Sequence, residues 1–302
     1  MRGCLLLALV PAVISCGGSS KGETTPKGPR GVEAAGLPFV VYGRDGATVE
    51  PAAMYDALAG ARAVCIGEQH TNPHDHWVQL HLLDEISRRA KDGGVALALG
   101  FEMFQRPFQN VLDDYAAGAF DDRVLLARSE WRDRWGYDFA LYRPMIRMAI
   151  ERGLALVALN VRKEITKRVG RGGVEALTEE ERAELPELDL EDEVHKAWFA
   201  EIMSGHPGGE VSASIYAAQV LWDETMADTA AAWVNADPKR RIVIFAGNGH
   251  CHDSAIVGRL VRRGVQPVIS VHPVIDDGEG SADEALQSPK NDYVVVMTMP
   301  TE

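Results

Sequence analysis

The feature that most constrains the fold is the stretch 61–76, where a buried-strand pattern runs directly into a polar cluster. The apolar run Ala63–Ile66 stops at a glycine, Glu68 and His70 follow at once, and Asn72-Pro73 turns the chain into a helix. A strand that delivers a carboxylate and an imidazole just beyond its carboxyl end is a common way for an α/β sheet to build a site. The stretch therefore predicts a functional edge of a sheet.

Six further apolar segments have the length and composition of strands, and helical patterns separate most of them. Strands that alternate with helices predict an α/β fold, in which a mostly parallel sheet is flanked by helices. Residues 161–235 carry only helical patterns, so they predict an all-helical insertion or cap over the sheet edge. The six segments are residues 38–42, 95–101, 154–159, 241–246, 266–271 and 293–298.

Four of the predicted strands end in polar side chains that are suited to chemistry. In a parallel sheet the carboxyl ends of the strands lie at one edge, so these side chains are expected to be close together. Two imidazoles and two carboxylates there could coordinate a divalent metal ion, or could act as acid–base groups toward a ligand. The candidate metal ligands are Glu68, His70, Glu102 and His250, and the same strand ends also carry Asn160 and Asn248.

The composition argues against nucleic acid as a partner. The chain of 302 residues has a formal net charge of -13 at pH 7, whereas contacts with phosphate backbones need clustered Lys and Arg. It has neither a GxGxxG nor a P-loop pattern, so nucleotide binding has no support. The expected partners are small ligands or another protein.

The N-terminus predicts export. A basic residue is followed by an apolar run that is too short to span a bilayer, and then by Val13-Ile14-Ser15-Cys16. This pattern resembles a bacterial lipobox and predicts a lipoprotein signal peptide at residues 1–16. An ordinary secretory signal that is cut near Ser15 is the alternative.

The lipoprotein interpretation predicts a location in the bacterial cell envelope. Cleavage would leave Cys16 as a lipidated terminus that anchors the protein to the lipid bilayer. Residues 17–34 have the composition of a flexible tether, and residues 35–302 form the predicted folded domain. Gly17, which stands where some bacteria place an acidic retention signal, favours the outer membrane.

Two cysteines, Cys65 and Cys251, lie beside the polar motifs. Packing as small buried hydrophobic residues is the favoured interpretation of both, and their predicted role is structural. In an oxidising envelope they could pair if their strands are neighbours, but the sequence does not give the Cα separation that a disulfide needs. The pairing is therefore left open.

Five short motifs follow one another in a fixed order along residues 60–270. They are Gly67-Glu68-x-His70 with Pro73, Phe101-Glu102-Met103-Phe104, Tyr142-Arg143-Pro144, Gln219-x-x-x-Asp223-x-x-Met226-Ala227 and Gly247-x-x-His250. This set is similar to the motifs of the Tiki/TraB/erythromycin-esterase superfamily, and within it the chain resembles the ChaN-like haem-binding lipoproteins. The combination in this order is much more specific than any single motif.

The resemblance implies an α/β core with a helical region over it, a lipid anchor in the cell envelope, and haem binding related to iron acquisition. It also implies a homodimer that holds haem between helical surfaces. Sibling families are metal-dependent peptidases or esterases. Matched residue by residue, an enzymatic interpretation would use Glu68, His70, Glu102, Arg143 and His250.

Haem iron needs an axial Tyr, His, Met or Cys in an apolar pocket. Tyr216 is a candidate ligand because a phenolate oxygen suits ferric iron, and Gln219 and Asp223 share its helix face as further cofactor-binding residues. Packing between helices is the alternative for Tyr216. The same block also offers His195, and His206, in a Gly-Pro loop, is either a second ligand or a solvated side chain.

Three functions are consistent with these patterns. The leading hypothesis is an envelope lipoprotein that captures haem without chemistry of its own. The rival is an envelope hydrolase, in which His70, His250 and the glutamates hold a divalent metal ion that activates water. The intact set of Glu68, His70, Glu102 and His250 is the reason to retain this rival, because haem binding at a distant helical surface would not need these residues. A structural lipoprotein with a vestigial site is the third possibility.

Overall fold

Eight strands in the described part of the chain form one mixed sheet. The computed structural model describes residues 37–91, 94–204 and 212–298. The strands are β1 (Phe39–Gly43), β2 (Thr48–Val49), β3 (Ala63–Ile66), β4 (Ala96–Gln105), β5 (Ala155–Asn160), β6 (Arg240–Phe245), β7 (Val268–Asp276) and β8 (Tyr293–Thr298).

The sheet order is β2-β1-β8-β7-β3-β6-β4-β5. The strands from β8 to β5 run parallel, and β1 and β2 are antiparallel additions at one side. β3 pairs with β6 so that Ile66 is aligned with Phe245, and the segments after both strands emerge side by side. The register between β4 and β5 shifts after Phe101, so the end of β4 is irregular at this same edge.

Helices cover both faces of the sheet. Those in the described residues are α1 (Pro51–Gly60), α2 (Pro73–Lys91), α3 (Gln109–Ala116), α4 (Asp122–Arg128), α5 (Trp131–Arg134), α6 (Phe139–Glu151), α7 (Lys163–Gly172), α8 (Glu179–Ala183), α9 (Glu193–Ser204), α10 (Ala213–Asn235), α11 (Gly258–Arg262) and α12 (Ser281–Gln287). The helices α7 to α10 lie between β5 and β6 in the chain and belong to the predicted helical insertion.

Alternate residues of the central strands pack against different helical layers. Val64 and Ile66 join residues of α1, α2 and α6 in one hydrophobic cluster. Ala63 and Cys65 join residues of α10 and α11 in a second cluster. A strand that is buried on both faces reads as a continuous apolar run, which explains the sequence pattern of β3.

The predicted fold class is confirmed, and all seven predicted strands occur. Three details differ. β4 continues to Gln105, because it goes on pairing with β5 beyond the irregularity, so Glu102 lies within the strand and not after it. The two-residue strand β2 is too short to give a periodic signal, and the predicted acidic loop 276–292 contains α12.

Some predictions concern parts of the chain that the structure does not describe. The signal peptide at residues 1–16, its lipidated Cys16, the tether at residues 17–34 and His206 all lie outside the described residues. Within the residues that are described, no helix is both long enough and apolar enough to cross a membrane.

Candidate functional site at the carboxyl edge of the sheet

Four predicted site residues meet at the carboxyl edge of the sheet. Glu68 and His70 follow β3, Glu102 lies in the irregular end of β4, and His250 follows β6. These three strands are neighbours, so the segments that carry the side chains lie next to one another. His70 is partly exposed, whereas the other three residues are buried.

His70 is held by a buried carboxylate. Its Nδ1 atom lies 2.8 Å from Oε1 of Glu68. The hydroxyl of Tyr142 donates to the same oxygen over 2.8 Å, and the amide of Gln79 donates to Oε2 over 2.8 Å. With its Nδ1 proton directed at Glu68, the neutral imidazole presents an unprotonated Nε2. The pair therefore offers one nitrogen atom that can accept a proton or bind a metal.

His250 lies between two carboxylates. Its Nδ1 atom is 2.6 Å from Oδ1 of Asp223 on α10, and its Nε2 atom is 3.4 Å from Oε1 of Glu102. The backbone N–H of Gly247 donates to the other oxygen of Glu102 over 2.7 Å. The amide nitrogen of Gln219 lies 3.2 Å from Nδ1 of His250. Asp223 and Gln219, which were predicted from sequence as cofactor-binding residues, thus belong to the surroundings of His250.

The buried charges shift the pKa values of this cluster. Burial opposes charge on His250, but the carboxylates of Glu102 and Asp223 raise its pKa to about 10. Burial favours the neutral forms of Glu102 and Asp223, but His250 lowers the pKa of both. Burial also disfavours charge on His70, yet its hydrogen bond to Glu68 raises its pKa above 6.5. At neutral pH the cluster therefore contains an imidazolium between two carboxylates.

The predicted divalent-metal site has no support from the structure. Among the described residues, no group of three or more His, Cys, Asp and Glu side chains is placed to hold a metal ion. The physical reason is that each of the two predicted histidine ligands is already paired with one or two carboxylates. His70 pairs with Glu68, and His250 is shared between Glu102 and Asp223.

Tyr142 and Arg143 are adjacent in the sequence but face different surroundings. Tyr142 is buried and donates to Glu68, whereas Arg143 is half exposed and binds Asp122 at 2.5 Å. Successive residues of a helix such as α6 point about 100° apart, so only one of the two reaches the sheet edge. The structure therefore places Tyr142 in the cluster and Arg143 outside it, and the catalytic role of Arg143 stays a prediction.

Each glycine of the two GxxH motifs makes room for a side chain of the other motif. A β-carbon on Gly67 would lie 2.0 Å from Oδ1 of Asn248. A β-carbon on Gly247 would lie 3.0 Å from Cε1 of His70 and 3.4 Å from its Nε2. The contact at Gly67 is too short for a real β-carbon, and the contact at Gly247 is tight enough that His70 would have to shift, so the glycines let the two motifs pack directly on each other.

Cys65 and Cys251 form a disulfide that ties the two motifs together. Cys65 lies on β3 just before Gly67, and Cys251 follows His250 directly. The two Cα atoms are 5.3 Å apart, and both residues are buried. Both cysteines are buried, as the favoured interpretation expects, but they do not act as packing residues alone, because the pairing of β3 with β6 brings them together.

Two neighbouring cavities lie over this edge, and they share Phe199, Met203 and Gln219 as lining residues. The helix cavity, of about 480 Å³, lies among α7, α9 and α10. The edge cavity, of about 360 Å³, is lined by His70 and His250. One face of α7 and one face of α10 line the helix cavity, each with residues at i, i+3, i+4 and i+7: Lys163, Thr166, Lys167 and Gly170 on α7, and Ile215, Ala218, Gln219 and Trp222 on α10.

Two polar side chains of α7 at the helix cavity have no partner among the described residues. Lys167 is exposed and forms no ion pair with any described residue. Thr166 is 7% exposed, and its hydroxyl has no hydrogen-bond partner in the described part of the chain. Lys163 donates to the backbone carbonyl of Asp133. From the sequence, α7 was predicted only as a short basic helix. The spacing of Lys163, Thr166 and Lys167 nevertheless indicates that their side chains share one face of that helix.

Tyr216 lies inside the helical block and does not line either cavity. It is 8% exposed and packs against Trp198 and Phe199. Its hydroxyl lies 3.1 Å from Nδ1 of His195, which is completely buried. Burial raises the pKa of Tyr216 to about 12, so the phenol is neutral. These surroundings favour the alternative role of Tyr216 in helix packing, and its role as a haem ligand stays a prediction.

The chain is similar to known proteins in sequence and in fold. The family model for "Haem-binding uptake, Tiki superfamily, ChaN" matches residues 54–260. The structure of ChaN of Campylobacter jejuni with cofacial heme binding superposes with a TM-score of 0.67 at 14% identity, over 86% of this chain and 96% of that chain. An erythromycin esterase, EreC, superposes less well, with a TM-score of 0.46 at 12% identity, over 82% of this chain and 78% of that chain. None of the curated proteins matches the sequence.

Proposed function

Because the chain belongs to the haem-binding ChaN family of the Tiki superfamily, we propose that it binds haem over the carboxyl edge of its sheet. The observation that carries this proposal is the family match over residues 54–260. This range spans the edge cluster and every residue that lines the helix cavity and the edge cavity.

The helix cavity offers apolar surface and basic side chains that suit haem. Haem is a flat, apolar ring with two carboxylates at one side, and when bound it supplies an iron atom that accepts axial ligands. Trp135, Phe199 and Trp222 offer apolar surface to such a ring. Lys163 and Lys167 offer positive charge to the carboxylates, and the unpartnered hydroxyl of Thr166 lies on the same helix face.

A titration tests the proposal directly. Haemin is added to the soluble form that begins near Lys21, and the Soret band is followed. Saturable binding with a shifted Soret band is expected, and the absence of specific binding would overturn the proposal. Sedimentation velocity with and without haemin tests the homodimer, which is proposed from the family resemblance alone.

We further propose a role in haem or iron acquisition at the cell envelope, with lipidated Cys16 as an anchor in the outer membrane. The buried disulfide between Cys65 and Cys251 supports export, because such bonds persist in oxidising compartments. Replacement of Cys16 by alanine is expected to move the protein from the outer-membrane fraction to the soluble fraction. Unchanged membrane association of the variant would contradict the anchor.

Hydrolysis is a second candidate function, and one observation favours it. Glu68 with His70, and His250 between Glu102 and Asp223, form a set of paired ionisable groups that are all buried except His70. Glu68, His70 and His250 line the edge cavity. Such sets cost stability and are concentrated at catalytic sites. In this function His70 would accept a proton from water. Cleavage of an ester or a peptide that is lost in a His70→Ala variant would support it, and equal rates for both proteins would exclude it.

A further inference from the structure

The helix α9 borders the edge cavity but is itself poorly buried. Trp198, Phe199, Ile202 and Met203 of α9 contribute to the lining of that cavity, together with His70 and the segment after β6. Only three of the 12 residues of α9 are buried, whereas 14 of the 23 residues of α10 are. A helix that buries few side chains is held less tightly than its neighbours, so α9 is the wall of the cavity that can move most easily.

Two faces of α9 border empty space. Besides the edge cavity, a third cavity of about 310 Å³ lies between α9 and the segments that carry His252 and Lys290. The residues of α9 that line the third cavity have the spacing i, i+3, i+4 and i+7 of a single helix face: Val194, Ala197, Trp198 and Glu201. Because cavities lie along two of its faces, α9 can shift without displacing a closely packed core.

His195 joins α9 to α10. It is completely buried, with its Nδ1 atom 3.1 Å from the hydroxyl of Tyr216 and its Nε2 atom 3.1 Å from Oδ2 of Asp223. The other oxygen of Asp223 binds His250, so α9 is connected through a single carboxylate to the edge cluster. These two contacts of His195 are the buried polar link that holds α9 in place.

The position of α9 also has a cost. The ring centroid of Trp198 lies 4.0 Å from that of His252, which is 2% exposed. Nε2 of His252 has no hydrogen-bond partner among the described residues. A buried polar group without a partner lowers the stability of the state that buries it, and movement of Trp198 would return this nitrogen to water. The closed position of α9 is therefore only moderately favoured.

The helix α9 also separates the helix cavity from the edge cavity. Phe199 and Met203, which are one turn apart on α9, line both cavities, and Gln219 of α10 is the third residue that the two share. Movement of α9 would remove two of these three side chains from the boundary. The two cavities would then form one cleft, with Lys167 at one end and His70 at the other.

We propose that α9 is a lid, held closed by His195, which covers the edge cavity and divides one ligand cleft into two. The lid goes beyond the proposed function, because it requires no particular ligand. Its role as a gate for haem rests on the proposed haem binding.

Hydrogen–deuterium exchange of the full chain, purified in detergent and without ligand, tests the lid. A detached helix of 12 residues is marginally stable in water, so opening exposes the amides of α9 to exchange. These amides should exchange faster than those of α10, and low concentrations of urea should change their rates little, because local opening exposes little surface. Equal rates with equal urea dependence in both helices would overturn the lid, since α9 would then open only when the whole domain unfolds.

A His195→Ala variant tests the link that holds the lid closed. The amides of α9 should exchange about tenfold faster than in the wild type, while those of α2 should be unchanged. Alanine is the best helix former, so the increase cannot come from a weaker helix propensity. Lys196→Ala is the matched control on the same helix, because Lys196 pairs only with Glu191 and Glu193 at the surface, and its rates should equal those of the wild type.

Equal exchange of α9 in the His195→Ala and Lys196→Ala variants would overturn the role of His195. If His195→Ala does not fold, Tyr216→Phe removes one of the two contacts of His195 and should give a smaller increase in the same measurement. An unchanged rate in that variant would equally overturn the role of His195.

Stopped-flow mixing with haemin tests the gate. If α9 must open before the ligand enters, association should be faster in His195→Ala by about the same factor as the exchange of α9, and unchanged in Lys196→Ala. Equal association rates in both variants would overturn the gate and leave haem binding intact. Failure of the wild type to bind haemin would instead overturn the proposed function, and the exchange rates of α9 would still decide whether it is a lid.

Discussion

The Nδ1 atom of His250 lies 2.6 Å from Oδ1 of Asp223, and the two groups are buried. Because Glu102 lies on the other side of the ring, removal of the imidazole would take away the charged group that both buried carboxylates share, and Asp223 would keep only its 3.1 Å contact with His195. We expect His250→Ala to lower the free energy of unfolding by about 3–5 kcal/mol, as measured by urea denaturation. The control variant His74→Ala removes a partly exposed imidazole on α2, outside this cluster, and should change the free energy of unfolding by less than about 0.5 kcal/mol. Equal stabilities of both variants would contradict the proposed ion cluster.

The same cluster predicts how stability depends on pH. The pKa of His250 is raised from 6.5 to about 10, so the folded state keeps a proton that the unfolded chain releases. The free energy of unfolding should therefore fall as the pH rises through this window. The lowered pKa of Glu102 has the opposite sign, and its contribution is lost as the pH falls below 4.5. Denaturation curves across both windows check this, and a His250→Gln variant should lose the alkaline dependence.

The contact between Gly247 and His70 predicts a steric effect on ligand binding. A β-carbon on Gly247 would press on the imidazole, so Gly247→Ala should displace His70 and weaken haemin binding. Overpacking of this kind costs about 1–3 kcal/mol of stability. Gly60→Ala is the matched control, because a β-carbon there meets no atom within 4 Å and lies at the end of a helix. The haemin affinity of the control should equal that of the wild type, and an equal affinity of Gly247→Ala would contradict the contact.

The disulfide closes a long segment of chain, since Cys65 and Cys251 are 186 residues apart in sequence. Replacement of both by alanine should lower the free energy of unfolding by about 2–5 kcal/mol. A reductant should lower the stability of the wild type under denaturing conditions and leave that of the double variant unchanged. Equal stabilities of the oxidised wild type and the double variant would show that the bond contributes nothing.

The sequence was sufficient to place Glu68, His70, Glu102 and His250 at one edge, because the carboxyl ends of parallel strands must meet there. It could not show that Asp223 binds His250. That contact joins α10 to the segment after β6, and its existence depends on how a helix packs on the sheet. The motif that contains Asp223 indicated a polar helix face but not what the face touches.

Two further features of the site depend on three-dimensional packing in the same way. Whether Tyr142 or Arg143 faces the edge depends on the rotation of α6 about its axis, and the sequence motif contains both. The pairing of Cys65 with Cys251 depends on the adjacency of β3 and β6, which the chain order does not specify. The prediction of the fold class required only the alternation of strands and helices. It did not depend on the rotation of α6 or on which strands are neighbours.

The positive charge of Lys167 on α7 predicts that the helix cavity binds a ligand with carboxylates more tightly than the same ligand without them. Lys167 has no ion-pair partner among the described residues and stands beside the unpartnered hydroxyl of Thr166. Lys167→Glu should weaken the binding of haemin about tenfold, because a charge-assisted contact becomes a repulsion. Binding of the haemin dimethyl ester, which has no negative carboxylates, should change little. Arg171→Glu is the matched control, since Arg171 is exposed on the same helix but does not line the helix cavity. If this control weakens haemin binding as much as Lys167→Glu does, the effect comes from net charge and not from a contact within the cavity.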